Sequence, residues 1–370
     1  MKKLFLLGML AAISIAGQAQ TKYPHAARQA DQPRTLGTGF NFRYAASRAT
    51  PCVVQINALF PQQMSIADRT MLAQLFGEKF FREYLEPLDS QLNAREASSS
   101  GVIVSSNGYI VTNYHAVAHA RNINVTLADQ RTIVAELVGQ DSISDVALLH
   151  VKEFGLPYIE FGDSDSTWVG DWVLAVGNPL DLSSTVTAGI ISAKTRGLKT
   201  VGAGHGLDCY LQTDAVANPG NSGGALVDVE GRLVGIVSAI ETPNGVFAGY
   251  SFAIPANIVR KVVNDLYRYK TVRWASLGIS VRNSTTVAWR EAGSPHVAGV
   301  CIDGLDRHDA ADASGLTVGD VILRIDDKPV ASEVRYREIL AGYRPGEKVN
   351  VAFLRGGMEF RLVVVLQDML

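Results

Sequence analysis

The sequence predicts a mainly β protein, an all-β barrel or sandwich followed by a smaller mixed α/β module. Three observations carry this. Short runs rich in β-branched and aliphatic residues recur from Val53 onward, separated by turn signals. The chain holds 34 Gly and 13 Pro without a collagen-like period, as a turn-rich fold requires. Hydrophobic residues make up 47% and charged residues 19% of 370, which is globular composition. At roughly 150 residues per domain, that length holds two domains.

The elements follow in chain order. Lys2 and Lys3 precede an apolar run over residues 4–16, and Gly17-Gln18-Ala19 is a small-x-small cleavage pattern. Residues 1–19 therefore read as a secretory signal peptide, with an uncleaved membrane anchor as the other reading. The run is short for a bilayer span, and no later segment offers about 20 consecutive apolar residues. The mature chain is expected to be soluble and exported, periplasmic where the host has an outer membrane. Residues 20–43 are polar and are expected to be flexible.

Residues 44–270 form the first domain. Strands are predicted at 101–104 and 109–112, flanking Asn107-Gly108, a two-residue hairpin signal. More follow at 124–127, 132–137, 146–151, 172–176, 185–191, 210–213, 225–229 and 233–238. Two segments break the pattern. Residues 74–88 carry an aromatic stripe at helical spacing, which suits either plain core or an insertion packed on a partner subunit. Residues 255–269 place Ile258, Val259, Val262, Val263 and Leu266 at helical spacing, with Pro255 suited to the first turn. Residues 272–370 form the second module. It has strands at 300–303, 321–326, 348–354 and 359–365, a helix at 332–341 ending at Gly342, and a tight turn at Gly356-Gly357.

Composition excludes several classes. With 34 Lys+Arg against 36 Asp+Glu the formal charge is −2, so no nucleic-acid partner is expected. Cys52, Cys209 and Cys301 are far apart, an odd number, and read as small buried hydrophobes. His115 and His119 lie four apart, but Ala116 stands where a zinc-binding HExxH helix has Glu, so no metal or other cofactor is expected.

The strongest chemical signal is the run from Asn218 to Leu226, with Ser222 among Gly220, Gly223 and Gly224. A serine hydroxyl needs a base and a stabilised oxyanion to act as nucleophile. The glycines let Gly220-Asn221-Ser222 turn so that backbone N–H groups converge, with Gly220 and Ser222 as natural oxyanion donors. Gly220-x-Ser222-x-Gly224 also matches a nucleophile elbow, but that needs a following helix and a downstream histidine. Here a hairpin follows, and the downstream His296 and His308 lie in the second module. The base is therefore sought upstream, at His115 just past a strand. Asp145, heading the apolar strand from Val146, is the carboxylate that would orient it, with Asp141 as a rival better suited to a turn. The order His, Asp, Ser is the chymotrypsin-type order.

TNYHAV, SDVALL and TDAVANPGNSGGALVD together resemble the three catalytic blocks of the HtrA (Deg) serine proteases. GYSFAIP is similar to that family's block after the serine, and SLGI with GLTVGDVILRIDDKPV is similar to a PDZ domain. The resemblance covers residues 45–370. It implies a chymotrypsin-like double β-barrel domain over 44–270 and one PDZ domain over 272–370. It assigns His115 as general base, Asp145 as its orienter and Ser222 as nucleophile, with Gly220, Asn221 and Ser222 around the oxyanion hole. Ala217 and Ile240 align with pocket positions, although Glu241 follows closely. Arg196 matches an arginine of the family's activation loop, and residues 179–184 read PLDLSS, not the Gly-containing form usual there. Leu277, Gly278 and Ile279 align with the loop that receives a peptide carboxylate while the peptide adds a strand to the sheet edge.

The function expected is an exported, ATP-independent serine endopeptidase of protein quality control. Its expected partners are unfolded proteins as substrates and hydrophobic C-termini at the PDZ domain, and the resemblance implies assembly as a homo-trimer or a multiple of it. The rival is a peptide-binding chaperone or scaffold with little proteolysis, against which an intact triad argues. An α/β-hydrolase esterase is disfavoured by chain order.

Overall fold

The computed structural model describes residues 41–61, 94–178, 184–197, 207–218, 220–238, 249–284, 298–305 and 314–369. The signal peptide, the aromatic stripe, most of 179–184, Ile240 and Glu241 lie outside the described residues. Helix α1 (Arg43–Ala49) begins inside the segment expected to be flexible, because Ala45 and Ala49 are buried.

The first sheet holds β1 (Val53–Pro61), β2 (Ala94–Ile103), β3 (Tyr109–Asn113), β4 (Asn122–Thr126), β5 (Thr132–Val134), β6 (Glu136–Asp141) and β7 (Val146–His150). Its order is β5-β4-β1-β2-β3-β7-β6. The two edge strands are successive in the chain, joined only at Ala135, so the sheet curls round on itself. Ala135 is buried and its N–H bonds the Ile123 carbonyl. The single strand expected at 132–137 is thus two. Val54, Ile56, Ile110, Val125 and Leu149 fill the interior without exposure, each stabilising by roughly 1.5–3 kcal/mol.

The two-residue hairpin expected at Asn107-Gly108 is also corrected. β2 ends at Ile103 and β3 starts at Tyr109, so the connection runs over 104–108. Only Gly108 takes positive φ, at 93°, and a Cβ there would lie 2.1 Å from the Val151 carbonyl oxygen.

β8 (Trp172–Gly177), β9 (Thr185–Arg196), β10 (Tyr210–Thr213), β11 (Ala225–Val227), β12 (Leu233–Ser238) and β13 (Ser251–Pro255) close a barrel in the order β10-β13-β12-β11-β8-β9. β9 runs five residues past its predicted end, where the polar Lys194 finds partners 27–30 residues away. Its ammonium donates to the carbonyls of Ser164, Asp165 and Thr167 at 3.0, 3.1 and 2.6 Å. Helix α2 (Tyr114–Val117) follows β3, and α3 (Ala256–Tyr269) follows β13. Pro255 caps α3 one position before its first turn, with φ −57°.

The C-terminal module has β14 (Ala275–Ser276), β15 (Ile279–Asn283), β16 (Val300–Leu305), β17 (Val321–Ile325) and β18 (Lys328–Pro329), then helix α4 (Glu333–Ala341). β19 (Lys348–Arg355), β20 (Met358–Val365) and β21 (Gln367–Asp368) complete it. Its main sheet runs β15-β16-β17-β19-β20, with β18 on β17, and β14 pairs β21. The Ser332 hydroxyl caps α4 by accepting the Arg335 N–H at 3.2 Å. Gly356 and Gly357 both take positive φ, as a tight hairpin turn demands.

Ion pairs tie this module to what precedes it. Arg344 donates to Asp265 of α3 at 2.7 and 3.0 Å, and Lys261 lies 3.2 Å from the same carboxylate. Asp265 is fully buried, and burial lowers the Lys261 ammonium below its ordinary range. A buried carboxylate of this kind needs both cations.

Candidate active site

The predicted base and its predicted carboxylate are brought together by two neighbouring strands. β3 delivers His115 into α2, and β7, paired with β3 from Tyr109–His150 to Asn113–Val146, is headed by Asp145. The His115 Nδ1 lies 2.8 Å from Asp145 Oδ2 and 3.0 Å from Oδ1, and the His115 backbone N–H donates to Oδ1 at 3.0 Å. An imidazole bonded this way through Nδ1–H keeps Nε2 as its acceptor. The His115 side chain is 47% exposed, as access by substrate requires.

Asp145 has φ +57°, a backbone conformation uncommon outside glycine. Its carbonyl is held by the Tyr114 N–H at 3.0 Å and by Asn113 Nδ2 at 3.1 Å. Ser238, at the end of β12, donates to Asp145 Oδ2 at 3.3 Å. Burial pushes the Tyr210 phenol up to about 12, and the Asp145 charge adds to that shift. Asp141 is a turn residue: its Oδ2 accepts the Ser144 N–H and hydroxyl.

Ser222 sits on a turn set by close approach. Gly220 and Gly223 have φ +95° and +83°. A Cβ on Gly223 would lie 2.1 Å from the Ser100 carbonyl oxygen and 2.4 Å from Thr112 Oγ1, three residues before His115. This places the serine turn directly against β2 and β3. The Ser100 N–H donates to the Ser222 carbonyl at 2.8 Å. The Ser100 hydroxyl donates to the Gly220 carbonyl at 2.7 Å and accepts the Asn178 N–H at 2.9 Å. Asn221 is buried and closes the turn by donating its N–H to Asn218.

The remaining predicted residues separate. Ala217 packs on the barrel core, its N–H donating to Ser251 Oγ at 3.0 Å. Arg196 ends β9, with Nε donating to Gln212 Oε1 at 3.1 Å. Leu277 is fully buried, and Ile279 opens β15, the edge strand of the C-terminal sheet. The Gly278 N–H, in the segment aligned with the carboxylate-receiving loop, donates to Ser276 Oγ at 2.9 Å. His119, at φ +67°, lies beyond the four-residue α2, so the two histidines do not share a helix face.

Sequence reasoning missed Ser100, Asn113 and Ser238 as supports. Asn113 and Ser238 carried a faint signal, polar residues ending otherwise apolar strands. Ser100 carried none inside Ser98-Ser99-Ser100.

Comparison with known proteins identifies the two domains. The trypsin-like peptidase domain family matches residues 99–236, and the PDZ domain family matches residues 275–366. A probable periplasmic serine endoprotease DegP-like of Ectopseudomonas mendocina is 38% identical over 340 residues, covering 88% of this chain and 70% of that protein. Its namesake from Chlamydia pneumoniae is 31% identical, covering 97% and 75%. A third, from Rickettsia conorii, is 36% identical over 76% of this chain but only 57% of its own length. Among solved structures, HtrA-type protease AlgW with tripeptide is 33% identical with TM-score 0.67, over 89% of this chain and 98% of that one. The chain, a trypsin-like domain with one PDZ domain behind it, belongs to the HtrA (DegP-like) family of serine endoproteases.

Proposed function

We propose that this endopeptidase cleaves unfolded proteins through an acyl-enzyme built on His115, Asp145 and Ser222. The carrying observation is the His115–Asp145 contact at 2.8 Å, beside a serine turn packed on the same two strands. Asp145 holds the Nδ1–H tautomer, so Nε2 takes the Ser222 proton as Oγ attacks the scissile carbonyl. The N–H groups of Gly220 and Ser222 receive the oxyanion, with Asn221 holding the turn between them. Nε2 then protonates the leaving amine, and water releases the acid product by the same route.

Residues 44–270 act as the protease unit and 272–370 as the peptide-binding unit. A peptide with a hydrophobic C-terminus adds a strand to the open edge of β15, its carboxylate at Leu277-Gly278-Ile279. AlgW has been solved with a tripeptide, which supports this reading. Ala217 and Ile240 line the substrate pocket, Arg196 serves in activation, and copies assemble as a trimer or a multiple of it. The relatives' description as periplasmic supports export to that compartment.

Degradation of reduced casein tests the reading. Cleavage by the mature chain that vanishes in Ser222→Ala, and accelerates with a peptide ending in hydrophobic residues, is the expected result. Equal cleavage by both forms would refute it, and suppression of casein aggregation without cleavage would favour a chaperone.

A further inference from the structure

We propose that Asp141 and Trp274 are positioning residues that hold Asp145 in place, so that the junction to the PDZ domain supports the protease site; this rests on the reading of Asp145 as the orienter of His115. The left-handed backbone of Asp145 is disfavoured for a residue with a side chain. Such a conformation persists only where the surroundings over-determine it. From one side, Tyr114 and Asn113 fix its carbonyl. From the other, Asp141 at the end of β6 closes the turn that delivers it.

The Asp141 carboxylate collects three donors. Oδ2 accepts the Ser144 N–H at 2.8 Å and the Ser144 hydroxyl at 2.5 Å, and Oδ1 accepts Trp274 Nε1–H at 3.1 Å. Ser144 is buried and immediately precedes Asp145. A carboxylate bound through both oxygens is fixed in orientation, and charge-assisted bonds of this kind are the strong ones. Any shift of Asp141 passes through one residue to Asp145.

Trp274 is itself clamped. It is 4% exposed, and the Lys261 ammonium of α3 lies 3.8 Å from its ring centroid. The Met369 N–H donates to its carbonyl at 2.8 Å, and the next residue enters the β14–β21 pair at Ala275–Asp368. The last strand of the PDZ domain thereby fixes the backbone that aims the indole. A buried indole N–H needs an acceptor, and Asp141 is that acceptor.

Two variants of the full chain test this. Trp274→Phe keeps a ring over Lys261 and removes the N–H. Asp141→Asn keeps the shape and leaves one accepting oxygen. Rates are taken per active site, counted by exhaustive labelling with a fluorophosphonate, and thermal midpoints are recorded in parallel. Both variants are expected to lose on the order of tenfold in kcat, within the hundredfold that about 1 Å of misplacement can cost. KM for labelled casein should stay within about twofold. The acid limb of kcat/KM should move to lower pH, because a displaced Asp145 stabilises the His115 imidazolium less. The double variant should be no worse than Asp141→Asn alone. Wild-type kcat and an unmoved acid limb per labelled site would overturn the proposal, whatever the thermal midpoints. Fewer labelled sites with unchanged turnover would also overturn it, since that is a purely structural role. Ser222→Ala run alongside separates the two readings. Its retained activity would sink the serine mechanism. Its inactivity beside fully active Trp274→Phe and Asp141→Asn would sink only the positioning role.

Discussion

Two turns meet at the candidate active site, and they are fixed by different means. The Asp145 turn is held by side chains: Asn113, Asp141, Ser144 and Ser238 all donate to or accept from it. The Ser222 turn is held chiefly by close backbone approach, with Gly223 wedged where a methyl would meet the Ser100 carbonyl oxygen at 2.1 Å and the Ser100 hydroxyl bonded to the Gly220 carbonyl. A turn braced by many polar groups loses a little with each one removed. A turn made by close backbone approach has no intermediate states. Conservative changes should therefore be graded at the first and abrupt at the second.

The largest expected effect breaks the first turn chemically without moving it. Asp145→Asn keeps an oxygen for the His115 backbone N–H but presents an amide N–H to Nδ1. The imidazole must then carry its proton on Nε2, where it cannot accept the serine proton. The kcat should fall on the order of 10⁴-fold with the thermal midpoint little changed. Casein cleavage and differential scanning calorimetry on the same sample check both halves.

Gly223→Ala tests the second turn. Left-handed strain and overpacking together should destabilise by about 4 kcal/mol. Activity should disappear along with labelling of Ser222 by a fluorophosphonate. A variant that keeps normal labelling would show that the turn can relax, against the contrast drawn here.

Ser100→Ala probes the second turn more gently, since the Ser100 side chain braces the Gly220 carbonyl. Removing its hydroxyl strips a donor from the Gly220 carbonyl and an acceptor from the Asn178 N–H. A loss of about 2 kcal/mol in stability is expected. The rate of acylation should fall with it, because Gly220 is the proposed oxyanion donor. Urea unfolding and single-turnover kinetics measure the two.

What the sequence made legible follows the same division. The Ser222 turn could be read because glycines at fixed offsets announce a backbone that comes close to something. Asp145 could be read because a carboxylate at the head of an apolar strand demands a partner. The strands from β3 to β12 were legible where one face is apolar, and obscured where a polar stretch is consumed by distant partners, while β13 (Ser251–Pro255) went unread as a strand. Lys194, beyond the predicted end of its strand, is capped by three carbonyls from 164–167. Ala135 hides a corner inside what reads as one strand. Ser100 and Trp274 find their partners 120 and 133 residues away, at Gly220 and Asp141, so no local pattern could have pointed to them. Trp274 carries no signal in the sequence beyond its place near the start of the second module, and stands in the structure as a buried donor.

The smallest effect is expected at Ser238, and it discriminates best between graded and abrupt support. Its hydroxyl reaches Asp145 Oδ2 at 3.3 Å, the longest of the bonds that brace that residue. Asp145 keeps the His115 backbone N–H, the ring N–H, Tyr114 and Asn113 when this bond is lost. Ser238→Ala should therefore cost only about 1 kcal/mol of transition-state stabilisation, a several-fold loss in kcat/KM. The variant should fold normally, because β12 pairs β13 through its backbone from Gly235–Pro255 to Ser238–Phe252. A loss as deep as that of Asp145→Asn would mean that the carboxylate hangs on one bond, and that its turn is as brittle as the serine turn opposite.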